Sequence, residues 1–94
     1  MDVIVFGGDH LGNIPHLLHD HGVQLVKHVT GRKQADLKFD IPHKISAILV
    51  LTDYLSHSML IEVKANAKRQ GVKLVFAKRS WSQISKALNQ HLGV

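Results

Sequence analysis

At 94 residues and 10.5 kDa the chain has room for one domain, residues 1–94, with a modest core that buries roughly 60–70% of its unfolded surface. Hydrophobic residues at 45% and charged residues at 20% exclude a disordered tail, and the absence of cysteine excludes disulfides, thiolate metal sites and cysteine nucleophiles. Twelve Lys and Arg against seven Asp and Glu leave a formal charge of +5, and eight histidines are dense for so short a chain. The longest apolar run, Ala47 to Leu51, is far short of the ~20 residues that span a bilayer. Met1-Asp2-Val3 opens without a basic region, so no signal peptide, no membrane partner and a cytoplasmic location are expected.

In chain order, Val3-Ile4-Val5-Phe6 is a β-branched and aromatic run closed by Gly7-Gly8, which predicts a buried strand. Ile14 to His21 follows as a helix of about two turns, with Asn13 as N-cap, Pro15 in the first turn and Gly22 just past the end. Gln24 to Val29 alternates as a second strand. Residues 30–44 read as a loop with one short helical turn, because Pro42 disfavours helix before it. Ala47 to Leu51 is apolar on both faces and predicts a central strand of a parallel sheet.

Met59, Leu60, Val63 and Ala67 then line one face of an amphipathic helix running from Ser56 to Gln70 and ended by Gly71. Val72 to Ala77 is the fourth strand. Ser80-Trp81-Ser82-Gln83 has the S-x-x-Q form of a capping box and opens a last helix, with Ile84, Ala87, Leu88 and His91 at helical spacing before Gly93. Strands alternating with helices predict a small Rossmann-like α/β domain. It has three layers, right-handed crossovers, helices on both faces and a four-stranded parallel sheet in the order 2-1-3-4.

In such sheets ligands collect beyond the carboxyl ends of the strands, near the point where strand order reverses. The residues expected there are Gly7, Gly8 and His10 after the first strand, with Asp53, Tyr54, Ser56 and His57 after the third. Lys78, Arg79 and Ser80 follow the fourth. Lys78 and Arg79 beside a helix N-terminus would suit a small anion such as a phosphate or carboxylate. The plainer reading is that Asp53 and Ser56 only cap and that the basic pair is only solvated.

Other chemistries are poorly served. Gly7-Gly8-x-x-x-Gly12 is not a dinucleotide fingerprint, and the acidic residue expected about 20 positions on is missing. The first strand ends in glycines rather than in the acidic pair that would hold Mg²⁺ beside Asp53. There is no nucleophile elbow, and Glu62 is the sole glutamate, so no enzyme constellation is expected. Lys and Arg are spread along the chain without a recognition motif, so specific nucleic-acid binding is not expected either. His16 and His19 fall one turn apart, with Asp20 close by. Paired imidazoles can share a metal, and a single one can ligate haem iron axially.

The chain resembles the bacterial DUF2325 family of small α/β proteins. The likeness is carried by Val3-Ile4-Val5-Phe6-Gly7-Gly8, Pro15-His16-Leu17, Lys27-His28-Val29-Thr30-Gly31-Arg32, Val63-Lys64 and Lys78-Arg79-Ser80. Its most specific piece is Thr52-Asp53-Tyr54-Leu55-Ser56-His57. The resemblance implies haem binding within a homo-oligomer, with His16, His28 and His57 as candidate iron ligands and Arg79 facing a propionate. Tyr54 stands where many members have cysteine, which removes a thiolate ligand and leaves a phenol in its place. The sequence therefore favours a non-enzymatic module for an anionic ligand, with haem the sharpest candidate. The alternative is a protein-interaction or regulatory domain without a small ligand.

Overall fold

The β-branched and apolar stretches become four strands of one sheet in the computed structural model, which describes residues 1–30 and 44–94. The elements run β1 (Asp2–Phe6), α1 (Ile14–Asp20), β2 (Gln24–Val29), β3 (Ile45–Leu51), a 3-10 turn (Thr52–Tyr54), α2 (His57–Gln70), β4 (Leu74–Ala77) and α3 (Trp81–Leu92). All pairings are parallel and the order is β2-β1-β3-β4, as the alternation of strands and helices predicts. The predicted loop across 30–44 lies, from 31 to 43, outside the described residues.

β1 and β3 occupy the middle, and Val3 to Phe6 and Ile48 to Leu51 lose all contact with solvent. Because side chains alternate, Val3, Val5, Leu49 and Leu51 face Leu18 of α1 and Ile84 and Leu88 of α3. On the other face Ile4, Phe6, Ile48 and Val50 meet Val63 and Ala67 of α2. Each buried Val, Ile, Leu or Phe among them stabilises the three layers by about 1.5–3 kcal/mol relative to exposure. Trp81 packs against the first of these clusters and meets the His21 ring edge-on at 4.8 Å, tying the start of α3 to the end of α1.

The sheet departs from simple alternation twice. Along β2 the register shifts between Val3 and Ile4 of β1, whose partners are Leu25 and Lys27, so Val26 is passed over and left exposed. Without that bulge Leu25 and Val29, four residues apart, would share a face; with it they belong to opposite clusters. A similar shift between Asp2 and Val3 passes over Ser46, and β3 begins at Ile45, two residues before the predicted Ala47.

Helix ends follow their local chemistry, with corrections. Ser56 and Ser80 cap α2 and α3, their hydroxyls accepting the backbone N–H of Met59 and Gln83. The reciprocal half of the capping box is not made, because the Ser80 N–H donates to the Lys78 carbonyl. Asn13 stands at the α1 N-cap but supplies no side-chain bond. Gly71, left-handed at φ 70°, ends α2, and the Val72 N–H donates back to the Ala67 carbonyl; β4 therefore starts at Leu74 rather than at Val72. His91 shares the spacing of Ile84 and Leu88 but is exposed. Asn66, in the apolar stripe of α2, is buried, and its Oδ1 accepts from Arg69 at 3.2 Å and Gln70 at 2.6 Å.

Two strands approach closely at Gly7. A Cβ there would lie 2.8 Å from the Leu51 carbonyl oxygen, and φ is +105°. Gly7→Ala is expected to lower the unfolding free energy by about 3 kcal/mol or more. Gly71→Ala, with nothing within 4 Å of its added carbon, should cost about 1 kcal/mol. Urea unfolding of both variants checks this; equal losses would mean that the left-handed backbone alone requires glycine at 7.

Candidate functional site

The carboxyl ends of the strands converge on the loop that leaves β1. Gly7, Gly8 and Gly12 all have positive φ, a conformation that lets the loop turn sharply where a side chain would obstruct it. The loop is held from two sides. The Gly7 N–H donates to the Val29 carbonyl at 2.8 Å, and His28 Nε2 lies 3.0 Å from the Gly7 carbonyl oxygen. Leu11 and Ile14 anchor its far end in the core.

The second hold comes from the other end of the sequence. Arg79, just past β4, donates from Nε at 2.9 Å and Nη2 at 2.6 Å to the His10 carbonyl oxygen. Gly12 lies beside this reach; a Cβ there would stand 3.6 Å from Nη2, an ordinary contact, so it is the positive φ of +57° that suits glycine at this position. The residue pair is 69 positions apart, and no spacing in the sequence announces it. Arg79 thus joins the β1 exit loop to the β4 exit and to the first turn of α3.

The predicted site residues separate into those that structure uses and those left facing solvent. Ser56 and Ser80 act as helix caps. Thr52 Oγ1 reaches the Ala77 carbonyl at 3.5 Å, and Leu55, just past the turn Thr52–Tyr54, has its Cγ 3.4 Å from where a Gly7 side chain would begin. His10, Asp53, His57 and Lys78 are exposed. His16 lies apart on α1, where Nε2 stands 3.5 Å from Asp20 Oδ2, with the two side chains 76% and 52% exposed. Among the described residues no three His, Asp or Glu side chains gather as a metal cluster. His28 is the histidine built most closely into the strand ends. If its Nε2 carries the proton given to Gly7, the lone pair is on Nδ1.

The sequence profile of a family described as an uncharacterized protein conserved in bacteria, DUF2325, matches residues 2–91. This chain belongs to the DUF2325 family. No curated protein and no solved structure matches it. In this DUF2325 protein the Gly-Gly strand end and the Lys78-Arg79-Ser80 segment meet through the Arg79–His10 bridge. Among its described residues no helix is long and apolar enough to cross a membrane.

Replacing Arg79 with Met keeps the aliphatic stem and removes both bonds. The expected result is a loss of about 1 kcal/mol in stability and faster amide exchange confined to residues 8–13. Hydrogen exchange followed by mass spectrometry reads this directly, and unchanged exchange in the loop would show that Leu11 and Ile14 hold it alone.

Proposed function

We propose that this DUF2325 protein is a non-enzymatic, bacterial cytoplasmic module that binds an anionic ligand at the carboxyl ends of its strands. The observation that supports this reading is the Arg79 bridge. It gathers a guanidinium, the neighbouring Lys78, the N-terminus of α3 and a glycine-rich loop at one end of the sheet. Positive charge and the positive end of a helix dipole together favour a carboxylate or phosphate.

Haem is the sharpest candidate within that class. Its propionates match the basic groups at Arg79 and Lys78, and its iron matches an imidazole. His28 offers one already oriented by a carbonyl, while His16 and His57 offer exposed ones. Bound haem would supply a redox-active iron with axial positions for these nitrogens. A 94-residue chain has little interior for a porphyrin, so a homo-oligomer that encloses it between copies belongs to the same proposal.

The test is an absorption spectrum of tagless protein expressed with haem precursor and resolved by gel filtration. The expected result is a Soret band co-eluting with an oligomer at near-stoichiometric ratio. Alanine at His28 or His57 should shift or abolish the band, and Arg79→Ala should weaken retention about tenfold. A featureless visible region would remove haem from the proposal.

Inorganic phosphate titrated against amide resonances of residues 7–13 and 78–82 then tests the wider anion reading, which fails if none moves. The second reading, an interaction domain without a small ligand, draws on exposed apolar side chains at Val26, Ile61 and Phe76. Trp81 serves it less, being packed against the core. Under that reading alanine at His57 and Arg79 changes no ligand binding.

A further inference from the structure

The lysines and arginines are scattered along the chain, but the carboxylates are not. All seven acidic residues fall between Asp2 and Glu62, whereas residues 63–94 hold Lys64, Lys68, Arg69, Lys73, Lys78, Arg79 and Lys86 and no acid. The fold folds this segment into one edge of the molecule: the second half of α2 on one face of the sheet, β4 at its margin and α3 on the other face.

β4 is also an open strand. In a parallel ladder alternate residues bond to the same neighbour. The Lys73 carbonyl accepts from Ile48, and the register pairs Val75 with Leu49 and Ala77 with Leu51. Lys73, Val75 and Ala77 therefore turn their backbone groups toward β3, and Leu74 and Phe76 turn theirs outward. Among the described residues no strand pairs with β4 on that side.

Phe76 is 40% exposed, with Lys64 Nζ 5.5 Å from its ring centroid. On the α3 side a cleft of about 240 Å³ runs beside the strand, lined by Phe76, Gln83, Lys86, Gln90 and His91 among others. Gln83, Lys86 and Gln90 recur at helical spacing, so they form a row of donors parallel to the open edge.

We propose that this edge receives an extended acidic peptide segment of a partner protein as a fifth strand. Main-chain bonds to Leu74 and Phe76 would give the pairing, and alternate carboxylates would meet Lys64 on one face and Lys86 on the other. A second copy of this chain fits less well. Antiparallel self-pairing of β4 centred on Phe76 would set Lys73 opposite the other copy's Arg79, and parallel self-pairing brings like against like. A nucleic acid would meet the same charge but would leave the outward strand groups of Leu74 and Phe76 without partners.

The experiment uses the full chain and a fluorescein-labelled peptide that repeats Val-Glu-Glu, whose neighbouring carboxylates face opposite sides of the strand, followed by anisotropy at low and physiological ionic strength. The expected result is salt-sensitive binding. It should fall about tenfold when alternate peptide nitrogens are methylated, which removes strand pairing at constant charge. Lys64→Glu with Lys86→Glu, both exposed and outside the strand-end site, should weaken binding at least as much while circular dichroism stays unchanged. Three outcomes overturn the proposal: no binding at low salt, equal binding of the methylated peptide, or equal displacement by an oligonucleotide of matched charge. A dimer in gel filtration that Phe76→Lys converts to monomer would also overturn it, by assigning the edge to a second copy.

Discussion

The carboxyl ends of β1 and β3 approach so closely that the Leu51 carbonyl occupies the space where residue 7 would carry a side chain. Much of the rest hangs on that distance. With no Cβ at 7, the backbone can take φ +105° and turn out of the sheet while both central strands stay buried on both faces. The turned carbonyl of Gly7 meets His28 from β2, and the loop beyond it passes within reach of Arg79 from β4. One steric constraint between two strands thus determines where residues from all four strand ends gather.

Electrostatics then divides the molecule. The strand ends combine solvent-facing Asp53 with Lys78 and Arg79, a mixed neighbourhood in which the helix N-terminus favours anions. Residues 63–94, which build the β4 margin, carry cations and no acid. Lys73 is partly engaged there, its Nζ donating to the His91 carbonyl at 2.6 Å at the end of α3, a placement that offsets the negative end of the helix dipole. The proposed anion recognition at one end of the sheet and the proposed peptide recognition along its margin would be separate capacities, because they use different residues and different geometry.

Several residues that look chemical turn out to be architectural. Ser56 and Ser80 were candidates for ligand contact, and both accept the N–H that a helix start leaves without a partner. His21 meets the Trp81 ring edge-on, and its Nδ1 lies 3.0 Å from the Leu17 carbonyl oxygen, holding two helices together. His16 pairs with Asp20 across one helical turn in the open. Of the histidines that the family resemblance singles out, His28 has a position no simple turn or cap accounts for.

What the sequence determined by itself was whatever neighbouring residues decide. Runs such as Val3 to Phe6 and Ala47 to Leu51 dictate strands, Ser56 and Ser80 dictate helix starts, Gly71 dictates a stop, and their alternation implies the parallel order β2-β1-β3-β4. Periodicity and capping act over a few residues, so they can be read from a line of letters. The bulge at Val26, which sends Leu25 and Val29 to opposite faces, could not be read so, because it depends on how β2 lies against β1. Nor could burial of Asn66 inside an apolar stripe, the outward turn of Leu74 and Phe76, or the span from Arg79 to His10. Each of these is a distance between segments far apart in the chain, and only packing of the whole sheet sets such distances.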